Sequence, residues 1–286
     1  MNRRTALKSL AALAALGIAP AHLTAMAEAK KNGIKQSACL WCYGGYLRKN
    51  NISLDEFCKI CADMGLLSLE LTGPGDWEIM KKYGLICAML PSSGIERGFN
   101  HVENHEFLIE YTKKQIDAAV AWGFPNVIVM SGNCKGMGKE EGLANCVTGL
   151  KEVVPYAEER KIVLCMEFLN SHNHKDYMAD STKFCVDLTH ELDSPSFKIL
   201  YDIYHARMMD EDPLKDIREH ADCWGHYHTG GYPGRAEIDM ASQQLDYAAL
   251  MKAILETGFT GYVGQEFCPR RDAITSLKEA FALCDI

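Results

Sequence analysis

Four short apolar runs in the second half of the chain each end on a residue able to bind a metal ion. They are Ile162 to Glu167 (IVLCME), Phe197 to Asp202 (FKILYD), Asp222 to His228 (DCWGHYH) and Gly261 to Glu266 (GYVGQE). Runs of this length and apolar content read as buried strands. Helical patterns separate them, so the strands should run parallel in one sheet, which brings all four polar ends to the same, C-terminal edge. In barrels of alternating strands and helices that edge carries the active site. This one feature therefore restricts fold and function together.

The rest of the chain keeps the alternation. Further strand-like segments fall at 36–42, 67–71, 85–90 and 126–130, making eight with the runs above. A helix opens at Ser53, with Glu56 three residues on as a capping box, and ends near Gly65. Others span 76–83, 102–122, 139–159, 181–192, 247–258 and 273–284, and a brief helix precedes the strand that ends at His228. No linker, low-complexity block or shorter repeat divides these segments. The expected fold is α/β, a single (β/α)8 TIM barrel over residues 28–286.

Residues 1–27 read differently. Asn2-Arg3-Arg4-Thr5-Ala6-Leu7-Lys8 places paired arginines before an apolar stretch, Leu10 to Ala19, and Ala25-Met26-Ala27 offers small residues for cleavage. The segment resembles a twin-arginine export signal. That resemblance implies export of an already folded chain to the periplasm, with metal loaded beforehand.

A formal charge of -8, with no run of Lys or Arg beyond the leader, argues against a nucleic-acid surface, because phosphate binding needs concentrated positive charge. A small molecule, a sugar or hydroxy-keto acid, is the expected partner. No apolar stretch reaches the ~18 residues of a stable membrane span. Monomer and homo-oligomer both remain open.

The 12 cysteines are many for an exported protein if they form crosslinks, but Cys87, Cys165, Cys185 and Cys223 sit within apolar patterns as small hydrophobes. Cys39-x-x-Cys42 and Cys58-x-x-Cys61 have a zinc-ribbon spacing. Against it, Leu54, Phe57, Cys58, Cys61 and Met64 recur at helical intervals, which makes the second pair part of a buried helix face.

Glu167, Asp202, His228 and Glu266 form a hard, mainly oxygen donor set suited to one divalent ion, Mn²⁺ or Mg²⁺ first, with Co²⁺ or Zn²⁺ also accommodated. Strand alternation puts His226 in line with His228; His228 is preferred because it lies nearer the strand end. His172 and His174 are further polar candidates in the loop after Glu167, and Trp41, Tyr43 and Trp77 could stack on a sugar face or pack inside.

Met166-Glu167-Phe168-Leu169-Asn170, Tyr201-Asp202-Ile203-Tyr204-His205, Pro233-Gly234-Arg235 and Gly261-Tyr262-Val263-Gly264-Gln265-Glu266-Phe267 resemble the hydroxypyruvate isomerase family, within the xylose isomerase-like barrels. The resemblance implies that Glu167, Asp202 and Glu266 bind metal, that Glu167 and Glu266 also move protons, and that His205 and Arg235 contact substrate oxygens. There are departures. Hydroxypyruvate isomerases usually place Gln at the position of His228, whereas ketose 3-epimerases of the same superfamily place His. The segments usually reading Gly-Glu-Ile-Asn-Tyr and Glu-Pro-Ile-Asn are here Gln243-Gln244-Leu245-Asp246-Tyr247 and Glu167-Phe168-Leu169-Asn170.

The expected activity is therefore a metal-dependent, aldose-ketose type isomerisation through an enediolate, with two glutamates as acid and base. The alternatives are a ketose 3-epimerase, a metal-dependent lyase or dehydratase on a keto-sugar, and a non-catalytic sugar-binding module. Phosphodiester cleavage needs more His and acidic ligands on the first four strands than this chain supplies.

Overall fold

Period-two and helical patterns alternate along the chain, and the computed structural model, which describes residues 33–286, turns them into one parallel sheet with helical crossovers. The expected export leader lies outside the described residues. Seven strands are formed among the described residues: β1 (Lys35–Cys39), β2 (Ser68–Glu70), β3 (Asn126–Val129), β4 (Val163–Glu167), β5 (Phe197–Asp202), β6 (Trp224–Thr229) and β7 (Tyr262–Gln265). Their order is β2-β1-β7-β6-β5-β4-β3, with every neighbouring pair parallel. All strand C-termini consequently face one way.

The expected strand at 85–90 is replaced by isolated parallel bridges, Ser68 to Ile86 on the β2 side and Leu90 to Val127 on the β3 side. The segment thus joins the two edge strands of the sheet. Its ladder is interrupted by side chains: Ser68 Oγ accepts the Ala88 N–H at 2.8 Å, and Asn126 Nδ2 donates to the Ala88 carbonyl at 2.9 Å. Backbone groups satisfied in this way cannot continue the repeat that makes a strand.

Two other boundaries move for local reasons. The first apolar run was expected to stay extended to 42, yet the chain enters a helix, Leu40–Lys49, directly after Cys39, so Trp41 lies in its first turn. The helix expected over 139–159 breaks into Lys139–Lys151 and Val154–Arg160. Pro155 explains the second start: it has no N–H to donate and is tolerated only within a first turn. By contrast, the helix Leu54–Met64 opens on the expected capping box, with Ser53 accepting from the Glu56 N–H and Glu56 from the Ser53 N–H.

The core fills the sheet interior and the seams beneath the helices. Phe57, Cys58 and Cys61 are buried on one face of Leu54–Met64, so that pair packs as hydrophobes. All 12 cysteines are unpaired thiols. Tyr43 and Trp77 are also core residues, whereas Trp41 is 48% exposed. No described helix is long and apolar enough to cross a membrane.

Candidate active site

Each of the four strand-end residues is placed by its element. Glu167 is the last residue of β4, Asp202 the last of β5, His228 the penultimate residue of β6, and Glu266 follows β7 directly. All four are buried, and one donor atom from each lies within 4.8 Å of the others.

Asp202 does two things at once. It caps the helix Ile203–Met208, its Oδ1 accepting from the His205 N–H at 2.9 Å, while Oδ2 is buried without a hydrogen-bond partner. His228 Nδ1 lies 3.0 Å from Glu266 Oε2, too poorly aligned for a hydrogen bond, and 3.6 Å from Glu167 Oε1, too far for one. The site therefore holds buried donor atoms aimed at a shared point and not satisfied by one another, which is what a cation-binding set requires.

Its electrostatics point the same way. Burial raises the Asp202 carboxyl well above the usual range, with Glu266 and Glu167 adding to the effect and Arg235 opposing it. Burial and Glu266 also raise Glu167. Burial works against Glu266 too, but His228 and Arg235 prevail and hold it well below the ordinary value. Three carboxylates this close resist sharing full ionisation, and a divalent ion would neutralise them.

Arg235 stands over the set, its Nη2 donating to Glu266 Oε2 at 2.6 Å and lying 3.6 Å from Asp202 Oδ2. Trp41 Nε1 donates to the other Glu266 oxygen at 2.9 Å. His205 is fully buried, and its Nδ1 accepts the Asn170 N–H at 3.1 Å. That bond leaves the proton on Nε2, which has no partner and lies 3.8 Å from Asp202 Oδ2. Burial, with Arg235 next in weight, keeps the His205 ring well below its ordinary pKa, so it is a neutral donor.

Beside these groups is a cavity of about 320 Å³ whose lining includes Trp41, Met130, Leu169, His174, Arg235 and Glu266. The lining mixes charged and polar groups with apolar side chains. Of the two loop histidines, His174 lines it, with its ring 5.2 Å from that of His205, and His172 is exposed.

Two contributors escaped the sequence reading. Asn170 was noted as a polar loop residue and as the end of the Met166–Asn170 motif, with no role assigned; its backbone and side chain orient His205. Glu70, at the end of β2, is fully buried, and its Oε2 lies 3.0 Å from Nε2 of both His226 and His228. A carboxylate within the strand-like run Leu67-Ser68-Leu69-Glu70-Leu71 was the available signal, since such residues are rarely buried without partners.

Fold and site together define an α/β architecture with a cluster of candidate metal ligands at the C-terminal strand ends. The chain belongs to the xylose isomerase-like TIM barrel family, whose profile matches residues 77–284. Among characterised relatives it is similar to D-psicose 3-epimerase of Enterocloster bolteae, 31% identical over 152 residues that make up 49% of each chain. It is also similar to hydroxypyruvate isomerase of Escherichia coli, 26% identical over 50% of this chain and 55% of the relative. With 2-oxo-tetronate isomerase of Haemophilus influenzae the match is 23% identical, over 78% of this chain and 91% of the relative. The first two matches span about half the length of those relatives. The crystal structure of 3-keto-D-glucoside 4-epimerase from Escherichia coli shares the fold, with a TM-score of 0.71 at 16% identity over 89% of this chain and 99% of that one. Isomerases and epimerases are thus this chain's homologues.

Proposed function

We propose that the chain is a divalent-metal isomerase or epimerase acting on a small hydroxy-carbonyl compound or sugar. The observation that carries this reading is the convergence of Glu167, Asp202, His228 and Glu266 donors within 4.8 Å of one another in a buried site. These four would hold the ion, and three carboxylates with one imidazole favour Mn²⁺ or Mg²⁺. The ion, when bound, supplies electrophilic stabilisation of the enediolate oxygens.

The remaining work falls to the chain. One of Glu167 and Glu266 removes the proton beside the carbonyl and the other returns a proton, a contribution of about 10²- to 10⁴-fold. Return to the neighbouring carbon isomerises an aldose-ketose pair; return to the opposite face of the same carbon epimerises it. His205 offers its unpartnered Nε2–H to a substrate oxygen, and Arg235 offers guanidinium N–H groups to a carboxylate or hydroxyl. Trp41 and Arg235 also fix the orientation of the Glu266 carboxylate through their hydrogen bonds to it.

The cavity of about 320 Å³ lies in the ~300–1,000 Å³ range of small-ligand clefts, and its apolar lining residues suit a sugar face. The epimerase reading draws added support from His228, which stands where ketose 3-epimerases place His. In this reading segment 85–90 completes an eight-staved barrel, and residues 1–27 direct the folded, metal-loaded chain to the periplasm. The test is isotope exchange: with Mn²⁺ or Mg²⁺ and a panel of ketoses and hydroxypyruvate in D₂O, deuterium should enter the α-carbon of a turned-over compound. Unlabelled substrates across the panel would overturn the reading, and dehydrated or cleaved products would assign a lyase instead.

A further inference from the structure

Beneath the four-donor set lies a second polar layer that the proposed chemistry does not use. Glu70 reaches across the barrel interior from β2 to β6, past the two intervening strands β1 and β7, and its Oε2 lies 3.0 Å from Nε2 of both His226 and His228. All three side chains are completely buried. The crossing is possible because the inward position between them is glycine. Gly264 of β7 is in register with His228 on one side and Ser37 on the other. A Cβ there would sit 2.9 Å from His228 Cδ2 and 3.0 Å from each Glu70 oxygen. Any side chain at this position would displace the carboxylate, the imidazole or both.

An ionised carboxylate can only accept hydrogen bonds, so two imidazole nitrogens on one of its oxygens must both be donors. His228 Nε2 therefore carries a proton, and Nδ1, the nitrogen facing Glu167 and Glu266, is the one that can offer a lone pair to a cation. The ring is held at both ends: Nε2 on Glu70, Nδ1 at the proposed ion. We infer that Glu70 is a positioning residue, which fixes the tautomer and orientation of His228 for metal binding through a buried carboxylate made possible by Gly264. It touches neither substrate nor the reacting atoms. The inference rests on the metal reading proposed above, and carboxylate partners of this kind typically change metal affinity by about 10- to 100-fold.

Cys39 Sγ lies 3.6 Å from His228 Nε2, so Cys39, Glu70 and His228 could be taken for a separate ion site. Both His228 nitrogens would then have to give up their protons, which the hydrogen bond to Glu70 opposes.

The experiment uses the whole chain labelled with ¹⁵N-histidine, loaded with Mg²⁺ for NMR and titrated with Mn²⁺ by electron paramagnetic resonance for affinity. Expected are one Mn²⁺ per chain, a protonated, hydrogen-bonded Nε2 on His228, and an Mn²⁺ affinity about 10- to 100-fold weaker in Glu70→Gln, with the fold retained by circular dichroism. In that variant the Nε2–H resonance should also lose its downfield, carboxylate-bonded position, and the accompanying fall in Mn²⁺ affinity in a folded protein is the readout a merely structural role would not move. Gly264→Ala provides a second route to the same loss. A proton on Nδ1 in the Mg²⁺-loaded protein, or unchanged affinity in a folded Glu70→Gln, would overturn the inference. So would two ions per chain falling to one in that variant, because Glu70 would then be a ligand. A wild-type chain that binds no cation yet keeps the Glu70-bonded Nε2–H would instead overturn the metal reading, and with it any metal-positioning role.

Discussion

Replacing Asp202 with asparagine separates what this residue does for the fold from what it does for the site. The variant keeps the shape and can keep the helix cap, because the Asn oxygen still accepts the His205 N–H that Asp202 Oδ1 accepts at 2.9 Å. What it loses is the charge on Oδ2, which is buried, has no hydrogen-bond partner, and shares the site with Glu167 and Glu266. Without a cation that charge opposes folding, as the upward displacement of the Asp202 pKa by burial and by Glu266 indicates, and Arg235 keeps its shorter contact to Glu266 at 2.6 Å. Cation-free Asp202→Asn should therefore be at least as stable as the wild type. With cation the order reverses. At a concentration 100 times the wild-type Kd, binding adds about 2.7 kcal/mol, which at about 2–4 °C per kcal/mol raises Tm by about 5–11 °C. Loss of a direct ligand should weaken binding by at least the ~100-fold upper range measured for partners one step further out, leaving about 0.4 kcal/mol and a rise below about 2 °C. Calorimetric scans of both proteins with and without Mn²⁺ decide the matter. A variant that matches the wild-type rise, or that loses about 2 kcal/mol before cation is added, would show that Asp202 serves the fold rather than an ion.

Other outcomes follow from the same geometry. Glu167→Gln and Glu266→Gln should each lower deuterium incorporation by about 10²- to 10⁴-fold with unchanged circular dichroism; near-normal labelling in either would remove it from the proton transfer. Glu237 should contribute an acid-dependent part of the stability, because its Oε1 accepts from the Arg270 and Arg271 N–H groups and Ser276 Oγ, each at 2.9 Å. Burial opposes its charge but these bonds prevail and lower its pKa, so the stabilisation is complete above the ordinary glutamate range and fades as pH falls through the lower, folded value. Urea unfolding across that window should show a gentler acid slope in Glu237→Gln. Finally, fractionation of cells carrying the full chain should recover it in the periplasm, and Arg3→Lys with Arg4→Lys should retain it in the cytoplasm; equal distribution of the two would exclude a twin-arginine leader.

The site was more legible in the sequence than the complete sheet. Glu167, Asp202, His228 and Glu266 could be placed together because each ends a run bounded by helical patterns, and parallel strands put such ends on one edge. The same logic overextended the first strand, since Leu40, Trp41 and Cys42 are as apolar as the residues before them while the backbone had already turned helical at Leu40. It also gave 85–90 a continuous ladder, whereas Ser68 and Asn126 side chains intercept its central backbone groups. Those contacts join residues about 20 to 40 positions apart and leave no local period. Glu70 was missed for a related reason: its partners lie on β6, and the pattern along β2 says only that the position is inward.

The dependence of Glu70 on Gly264 shows why such a layer is hard to read one strand at a time. Alternation predicts an inward side chain at every second position, and on β7 it makes both Gly264 and Glu266 inward. A filled barrel would ordinarily put a branched apolar residue at the lower of these. Here the side chain is missing, and the carboxylate of another strand lies where it would have been, beside the ring of His228. The polar rim therefore extends one layer into the barrel, and the extra layer is fully buried. Burying a carboxylate is costly unless it is paired, and Glu70 meets that condition through two imidazoles, one of which faces the rim. An apolar side chain at 264 would push the carboxylate or the imidazole aside and leave His228 without its partner. That the chain instead keeps a glycine and a buried acid at this depth is the clearest structural argument that the orientation of His228, rather than its presence alone, matters to the site.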